Sequence, residues 1–435
     1  MKDYNRLEFN PNDRILILAP HPDDEVLGCG GVIQRAEKLN LPLKIVFLTY
    51  GDNNQWSFIV YRKRPVIMPK AVQKMGLFRH DEAVDAARAL GLSPDNLTFL
   101  GYPDFRTLEI WYSHWGSQPP ARSMLTDVRA VPYENAYRPG APYKADEILK
   151  DIKALMREFK PTRIFVSHPL DHNPDHRSLY LFTRIALWDL EKEVTAKVYP
   201  YLIHFKKWPQ PYGYLPGNPL TPPALLAEKI SWDNLSLNQE EIIANYNAIK
   251  KHRSQYNSSA KYLLSFIRHN ELFGDFPAVI LKTKDYSIPI VSNRNAYLKE
   301  LPEELINEER AEFVGVEEEF ISIVNATLVF KLKLSRPLGE ATGVSLYLFG
   351  YKSEVFFSSM PKIHIKFGVI DHKIFDQDKN LPLEVIQIER KPREITLRIP
   401  LGILGNPDRI LTSARTYAGM IPLDWVAWRV VRLAD

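Results

Sequence analysis

The sequence predicts an α/β domain with a mostly parallel sheet flanked by helices, followed by an all-β sandwich domain. Over roughly the first 180 residues, short apolar runs alternate with helical segments, which is typical of a parallel sheet with helices on both faces. After residue 318, short runs of alternating polarity are separated by turn signals such as Gly405-Asn406-Pro407, which favours a sandwich. We therefore predict domains at residues 1–300 and 318–435.

The elements of the first domain follow from the spacing of apolar residues. Residues 15–18 are four branched apolar residues, which indicates a strand buried on both faces. A helix is predicted over residues 145–159, because Ile148, Ile152 and Leu155 recur at helical spacing. The other predicted elements are helices at 31–39 and 79–91 and strands at 43–49, 97–101 and 163–167.

Two long segments, 53–77 and 104–143, interrupt this alternation. The second is rich in aromatic residues and is either a small satellite core or a rim that contacts substrate. The predicted strands of the second domain are 320–324, 328–334, 343–349, 363–369, 395–399 and 425–433. Acidic residues between the two domains indicate a linker, at Glu303, Glu304, Glu308, Glu309, Glu312 and positions 317–319.

Composition excludes several classes of protein. The net charge of the 435 residues is +4 and no Lys/Arg block occurs, so no nucleic-acid partner is expected. The single cysteine, Cys29, excludes an intrachain disulfide and a cysteine-based zinc site. No segment approaches the ~20 apolar residues that span a bilayer, and the amino-terminal residues lack an apolar signal core. We expect a cytoplasmic protein with no membrane span and a small-molecule substrate.

The stretch Ala19-Pro20-His21-Pro22-Asp23-Asp24-Glu25 directly follows the first predicted strand. Its two prolines end the strand, because proline cannot continue a ladder or a helix there. One histidine and three acids thus lie at the carboxyl end of a buried strand, where open α/β sheets bind ligands. Buried carboxylates need a counter-charge, so this cluster indicates a bound cation.

A second polar cluster, residues 168–177, follows the strand predicted at 163–167. It holds three of the chain's eleven histidines, His168, His172 and His176. Two such clusters at strand ends favour a metal site over isolated structural histidines. With only nitrogen and oxygen donors, the pattern is typical of a catalytic zinc site with an open position. Fe(II), Co(II) and Mn(II) suit the same donors.

The two clusters resemble the motifs of the PIG-L/LmbE-like deacetylases, which hydrolyse N-acetyl groups of glucosamine-containing and related substrates. The resemblance rests on residues 21–25 and on Asn173-Pro174-Asp175-His176, and it covers roughly residues 8–290. It implies a Rossmann-like catalytic domain with His21, Asp24 and His176 as ligands of Zn²⁺ or another divalent metal such as Fe²⁺. Asp23 is then the general base that activates the water. Asp175 is expected to orient a ligand histidine, and Glu25 to support the loop through backbone hydrogen bonds.

Asn173 departs from the family, because many members carry a histidine there that is assigned to oxyanion stabilisation or acid chemistry. Asparagine can donate a hydrogen bond but cannot deliver a proton. His172 and His168 are the candidates to take over this role, and we hypothesise that His172 does. The resemblance places Arg79 and Asp104 near strand ends that face the metal, as candidates for substrate contact. His204 is a candidate for lining the substrate pocket. The alternative is that it is a structural histidine at the end of a strand.

Two hypotheses of different class stay open. The first is a metal-dependent N-deacetylase for an amino sugar or sugar conjugate, with an amidase for a non-sugar N-acyl substrate as its variant. The second, favoured by Asn173, is an inactive metal-loaded carbohydrate-binding protein. Asp23 favours the enzyme, because a binding site has no need for a carboxylate beside a metal ligand. The second domain loosely resembles carbohydrate-binding sandwiches, with aromatic residues at Tyr347, Tyr351, Phe356, Phe357, Trp425 and Trp428.

Overall fold

The structure of the chain is a computed structural model that describes residues 4–53, 68–227, 229–282, 287–291, 313–419 and 421–434. The chain divides into two compact units, Met1–Phe276 and Pro277–Asp435. Strands at Val279–Lys282 and Ile288–Val291 pair with strands of the second unit. The second unit therefore includes residues that the sequence analysis assigned to the first domain.

The first unit consists of a central sheet and the helices that flank it, which confirms the predicted α/β class. The strands described in it are β1 (Asn5–Arg6), β2 (Ile15–Ala19), β3 (Leu43–Thr49), β4 (Leu97–Tyr102), β5 (Arg163–Ser167), β6 (Lys197–Tyr201), β7 (Trp232–Ser236) and β8 (Asn270–Gly274). The helices described in it are α1 (Asp24–Lys38), α2 (Pro69–Ala89), α3 (Thr107–Ser113), α4 (Ala145–Phe159), α5 (Pro174–Asp189), α6 (Gln239–Ile249) and α7 (Arg253–Leu263).

The strand order of this sheet is β1-β7-β8-β6-β5-β2-β3-β4. β2 pairs in parallel with β3 on one side and with β5 on the other, and β8 runs antiparallel to β6 and β7. From β2 the chain passes to β3 and β4, and then crosses back to β5 and β6. The change of direction falls between β2 and β5. The carboxyl ends of these strands therefore border the crevice in which open α/β sheets bind ligands.

The two strands that border the crevice are buried on both faces. Every residue of β2 and β5 is buried, as expected for branched apolar runs in a parallel sheet. Helix α1 approaches the sheet closely, because a Cβ atom on Gly28 would lie 2.5 Å from Tyr201 Cδ2. The Tyr201 hydroxyl donates to the Leu18 carbonyl at 2.9 Å, which ties the end of β6 to β2.

The second unit is all-β apart from short 3₁₀ turns. Two sheets are described in it, with the orders β10-β11-β12-β18-β17 and β16-β15-β14-β13-β19-β21-β9, and β20 pairs with β19. Buried side chains of both sheets form one hydrophobic cluster, among them Phe330, Leu346 and Leu397. The predicted sandwich stays a prediction. The strands are β9 (Val279–Lys282), β10 (Ile288–Val291), β11 (Val316–Val324), β12 (Thr327–Leu334), β13 (Thr342–Tyr351), β14 (Lys362–Phe367), β15 (His372–Asp376), β16 (Lys379–Leu381), β17 (Gln387–Lys391), β18 (Glu394–Pro400), β19 (Arg409–Ala418), β20 (Ile421–Trp425) and β21 (Arg429–Ala434).

Four local predictions differ from the structure. Helix α1 begins at Asp24 rather than at residue 31. Helix α2 begins at Pro69 rather than at Arg79. Gly76 lies within its first turns, and because glycine disfavours helices, the sequence pattern did not predict them. Positions 317–319 lie in β11 rather than in a linker, because their neighbours alternate with apolar residues that face the core. The predicted strand 425–433 is two strands, β20 and β21. The acidic residues of the predicted linker at 303–312 lie outside the described residues.

The aromatic segment 104–143 contains α3, and its buried tryptophans pack against α5. Trp111 and Trp115 are fully buried, and their rings lie 5.3 and 5.9 Å from that of Phe182 on α5. These contacts favour a packing role over a substrate rim for the two tryptophans, but they join the segment to the core of the first unit rather than form a separate satellite core. The other long segment, 53–77, is described only at residue 53 and at 68–77. Within the described part of the chain, no helix has both the length and the apolar character needed to cross a membrane.

Candidate metal centre and active site

Two histidines and an aspartate meet at the crevice between β2 and β5. His21 and Asp24 follow β2, and His176 lies in the first turn of α5, which follows β5. Asp24 Oδ2 lies 3.1 Å from His21 Nδ1 and 3.0 Å from His176 Nε2. All three side chains are buried. Burial opposes ionisation of Asp24, but the imidazoles of His176 and His21 outweigh it and hold the pKa of the carboxyl well below its usual range.

Proline and a capping residue put these side chains in place. Pro22 follows the end of β2, and Asp23 then adopts a φ of 125°, a strained conformation that residues with a side chain rarely take. The turn allows α1 to begin at Asp24. On the other strand, Asn173 caps α5 by accepting a 2.9 Å hydrogen bond from the Asp175 N–H, and Pro174 occupies the first helical position, where no N–H is needed.

The second nitrogen of His21 faces two carboxylates. Nε2 lies 3.0 Å from Asp104 Oδ1 and 3.2 Å from Asp175 Oδ2. Asp175 is itself held by backbone N–H groups of Phe105, at 2.6 Å, and Thr107, at 3.1 Å. Burial opposes protonation of His21, but Asp104 and the other carboxylates outweigh it and raise the pKa of the imidazole well above its usual range. The contacts of Nε2 with Asp104 and Asp175 orient the His21 ring so that Nδ1 faces Asp24.

Asp171 supports His176 in the same way. Its Oδ2 lies 3.1 Å from His176 Nδ1, and the same oxygen accepts backbone hydrogen bonds from Ile203, at 3.0 Å, and His204, at 2.9 Å. Burial opposes ionisation of Asp171, but His176 outweighs it and lowers the pKa of the carboxyl to about 2. Asp171 therefore ties the His176 ring to the loop that follows β6.

Asp23 lies beside the three clustered side chains without joining them. Its Oδ2 is 3.6 Å from Arg79 Nη2. Burial raises the pKa of Asp23 to about 7, against the attraction of Arg79. Arg79 also donates to the carbonyls of Gly51, at 2.7 Å, and Pro22, at 2.6 Å, so it braces the loops that follow β2 and β3. A carboxyl whose pKa lies near neutrality is suited to accept and return a proton.

A buried glutamate–histidine pair holds the backbone of Asp23. Glu25 Oε2 accepts from the Asp23 N–H at 2.8 Å, and Glu25 Oε1 lies 3.0 Å from His252 Nε2. His252 directly precedes α7, 227 residues after Glu25 in the chain. Burial opposes protonation of His252, but Glu25 outweighs it and raises the pKa of the imidazole. The pair stabilises the strained conformation of Asp23 through the hydrogen bond to its backbone N–H.

The donor atoms of His21, Asp24 and His176 fit a metal ion. With ligand bonds of about 2.0–2.2 Å, a tetrahedral site separates neighbouring donors by roughly 3.3–3.6 Å, and the two distances to Asp24 Oδ2 are slightly shorter, at 3.0 and 3.1 Å. His176 Nε2 is buried and makes no hydrogen bond of good geometry with any described residue, although Asp24 lies beside it. Two nitrogen donors and one oxygen donor with room for a further ligand are typical of a catalytic zinc site.

Comparison with known families identifies the domain that carries this site. Residues 16–187 match the family PIG-L, described as GlcNAc-PI de-N-acetylase. Residues 16–187 form a PIG-L family domain. The 1D-myo-inositol 2-acetamido-2-deoxy-alpha-D-glucopyranoside deacetylase of Rhodococcus jostii (strain RHA1) is 26% identical over 177 residues, which are 40% of this chain and 53% of that protein. The chain thus spans about half the length of this curated relative.

Two solved structures of deacetylases are similar to this chain at low identity. The N,N'-diacetylchitobiose deacetylase from Pyrococcus horikoshii is 17% identical, with 56% of this chain and 70% of that chain covered and a TM-score of 0.33. A deacetylase of the teicoplanin biosynthetic pathway is also 17% identical, with 60% and 97% covered and a TM-score of 0.38.

The first unit brings some of the other predicted site residues to the centre and leaves others at its edge. Asp104 contacts His21, and Arg79 contacts Asp23. The His204 ring meets the His176 ring edge to face at 4.9 Å between centroids.

Two of the predicted site residues lie at the edge of the centre. His172 is exposed, and its ring lies 5.1 Å from that of Phe205. The Asn173 side chain caps α5. The assigned catalytic and substrate-binding roles of all these residues stay predictions.

Three residues of the site escaped the sequence analysis. Asp171 lies inside the second polar cluster, but its spacing from His176 does not distinguish it from a surface acid. His252 has no local signal, because its partner is distant in the chain. Phe105 has a φ of 60° and is 45% exposed, and its ring stacks 6.3 Å from that of His21. A strained backbone and an exposed ring beside a candidate ligand point to contact with substrate.

The aromatic residues singled out in the second unit are mostly part of its interior. Tyr347, Tyr351, Phe357 and Trp428 are each at most 3% exposed. Phe356 is the exception, with 78% of its surface exposed. Any stacking of a sugar on this group of residues would therefore have to use Phe356 or the half-buried Trp425.

Proposed function

We propose that the PIG-L domain is a metal-dependent hydrolase, with Zn²⁺ or Fe²⁺ as the metal, that removes the N-acetyl group from an amino sugar or sugar conjugate. The observation that carries the proposal is the position of Asp23. This carboxyl is buried next to the ligand candidate Asp24, contacts none of the other ligand candidates, and has a pKa of about 7 because of burial. A metal site that only binds has no use for such a group, whereas hydrolysis needs a base there.

Each residue of the site has a separate role in the proposed amide hydrolysis. His21, Asp24 and His176 would hold a divalent metal, which when bound would polarise a water molecule and the amide carbonyl. Asp23 accepts a proton from the attacking water as the water oxygen bonds to the carbonyl carbon. The C–N bond then breaks, the amine takes up a proton, and acetate and the free amine are released. Glu25 and Arg79 keep Asp23 in position throughout, through the contacts described above.

The sugar class of the substrate is supported by the relative and by the mouth of the site. The Rhodococcus protein is named as a deacetylase of a 2-acetamido-2-deoxy-glucopyranoside. The exposed ring of Phe105 beside His21 offers an apolar face for a pyranose ring. Asp104 lies next to Phe105 in sequence and contacts His21, so we propose that it faces the substrate as well.

The second unit enters the proposal as an accessory β-sandwich. Its two sheets share one hydrophobic cluster, which supports a sandwich. Sugar binding by this unit is proposed through Phe356, its exposed ring. The full chain should then lose retention on immobilised glycans when Phe356 is replaced by Ala, and unchanged retention would contradict this role.

The test of the proposed function is the release of primary amine from a panel of acetamides by protein that is stripped of metal and reloaded with Zn²⁺ or Fe²⁺. The panel contains N-acetylglucosamine, two of its glycosides and two N-acetyl amino acids. Asp23→Asn should lower kcat about 10²–10⁴-fold, the usual contribution of a general base. Asp13→Asn is the matched control, because Asp13 is 7% exposed against 8% for Asp23 and lies before β2, at the opposite edge of the sheet.

The outcomes separate the alternatives. Release from sugars alone supports the deacetylase, and release from N-acetyl amino acids alone favours the amidase. Metal that binds stoichiometrically without amine release from any compound contradicts the enzyme and favours a binding protein. Equal loss of activity in Asp13→Asn and Asp23→Asn would remove Asp23 from the mechanism.

A further inference from the structure

A half-buried imidazole that belongs to neither polar cluster lies next to the candidate metal ligands. His204 follows β6, and its ring meets the His176 ring edge to face at 4.9 Å between centroids and 69° between planes. The carboxyl end of β6 neighbours that of β5 in the sheet, so the loop after β6 reaches the same crevice. His204 thus borders the same crevice as the candidate metal ligands.

Hydrogen bonds to Asp171 hold the backbone around His204 in place relative to the candidate metal ligand His176. Asp171 Oδ2 accepts the His204 N–H at 2.9 Å and the Ile203 N–H at 3.0 Å, and it lies 3.1 Å from His176 Nδ1. The His204 carbonyl accepts the His172 N–H at 2.8 Å. One buried carboxylate therefore sets the distance between His204 and His176, which is the preorganisation that an electrostatic catalyst needs.

The orientation of the ring leaves one nitrogen available. The Tyr262 ring stacks on His204 at 6.1 Å, and its hydroxyl donates to the Ile203 carbonyl at 2.9 Å. The same hydroxyl is 3.5 Å from His204 Nδ1, too far to fix which nitrogen carries the hydrogen. Nε2 makes no hydrogen bond with any described residue. The ring is therefore able to present an Nε2–H group to a ligand in the crevice.

Hydrolysis of an amide builds negative charge on the carbonyl oxygen, and a preorganised donor stabilises that charge. We propose that His204 is this donor and that its Nε2–H holds the carbonyl oxygen of the scissile amide, with Asp171 as the positioning residue. The proposal rests on the proposed function and extends it to a residue outside both sequence clusters. His172, the sequence candidate for this task, is exposed and contacts Phe205. His204 is the better placed of the two histidines.

The test compares His204→Phe, which keeps a ring on Tyr262 but lacks a donor, with His204→Gln, which keeps a donor. His372→Phe, on β15 in the second unit, is the control for a histidine replaced away from the site. Three quantities are measured on metal-loaded full-length protein. They are kcat and KM for N-acetylglucosamine, the affinity for its methylphosphonamide analogue with a tetrahedral oxyanion, and the metal affinity by competition with a chromogenic chelator.

The proposal expects His204→Phe to lower kcat about 10²–10³-fold, the loss found for one oxyanion donor. KM and metal affinity should change little, the analogue should bind more weakly by a similar factor, and His204→Gln should recover part of both losses. A kcat and an analogue affinity within threefold of the parent in His204→Phe would overturn the proposal while the deacetylase stands. Loss of metal affinity in His204→Phe would also overturn it, because the residue would then support the ligands.

The analogue separates this proposal from the proposed function. If the parent protein releases no amine but binds the analogue through His204, the oxyanion site stands and the deacetylase does not. If the parent neither releases amine nor binds the analogue, both proposals are wrong. A larger loss of analogue affinity in His172→Phe than in His204→Phe would assign the oxyanion to His172.

Discussion

Replacement of Asp171 by Asn tests whether the metal centre depends on the carboxylate behind His176. Asp171 is fully buried. Its Oδ2 contacts His176 Nδ1 and accepts two backbone N–H groups, and its Oδ1 accepts the Asn173 N–H at 2.9 Å. Whichever way the new side-chain amide of the Asp171→Asn variant lies, its NH₂ group replaces an oxygen that accepts a hydrogen bond. One N–H donor then faces another.

The expected effect is a loss of metal affinity. Carboxylates that support a ligand histidine typically contribute 10–100-fold to metal affinity, which is about 1.4–2.7 kcal/mol. Asp171→Asn should weaken Zn²⁺ binding by this amount in competition with a chromogenic chelator at pH 7.5. A buried donor without a partner costs roughly 1–3 kcal/mol as well, so the free energy of unfolding should fall in the same range.

Asp151→Asn is the control for this prediction. Asp151 is 1% exposed and accepts a hydrogen bond from the Tyr102 hydroxyl at 2.7 Å, on α4 and away from His176. It should lose stability but keep the metal affinity of the parent protein. The reasoning is refuted if Asp171→Asn binds Zn²⁺ as tightly as Asp151→Asn does.

Three further predictions address substrate contact, pH and packing. Phe105→Ala should raise KM for sugar substrates about 2–10-fold, the value of an aromatic contact, and leave KM for N-acetyl amino acids unchanged. Burial raises the pKa of Glu271 to about 8. The folded chain therefore favours the protonated carboxyl, and the stability gained from this preference is lost as the pH rises from about 4.5 to 8. In urea denaturation, the free energy of unfolding of Glu271→Gln should change less with pH than that of the parent. Gly28→Ala, whose Cβ would meet Tyr201, should cost about 1–3 kcal/mol in urea denaturation, whereas Gly217→Ala has open space.

A specific result would contradict each of these three predictions. Equal increases of KM for sugars and amino acids in Phe105→Ala would remove the stacking role. Parallel pH profiles for Glu271→Gln and the parent would contradict the buried neutral carboxyl. Equal stabilities of the Gly28 and Gly217 variants would show that α1 does not need its close approach to β6.

The two polar clusters of the site were predictable from local patterns and one topological rule, whereas the choice of His21, Asp24 and His176 within them rested on the resemblance to the PIG-L/LmbE-like deacetylases. Each polar cluster comes directly after an apolar run, so His21, Asp24 and His176 lie at the carboxyl ends of two strands. The strands proved to be neighbours at the point where the strand order reverses. Such a point brings together the ends of strands that are distant in sequence.

The supporting residues were not predictable for the opposite reason. Glu25 contacts His252 across 227 residues, and no periodicity relates α7 to the loop after β2. His204 was singled out only as a lining residue, because its distance from His176 depends on how Asp171 holds the loop after β6. Positions 317–319 were misread because three adjacent acids outweighed the alternation on either side, although Glu319 is buried within β11.

The central claim is that one metal ion per chain and the Asp23 carboxylate together hydrolyse an N-acetyl group. We would titrate chelator-treated protein with Zn²⁺ and follow amine release from N-acetylglucosamine or the best glycoside of the panel. The rate should rise in proportion to added metal and level off at one equivalent. Asp23→Asn should bind the same equivalent and release almost no amine. Full activity before any metal is added, or an active Asp23→Asn variant, would contradict this claim.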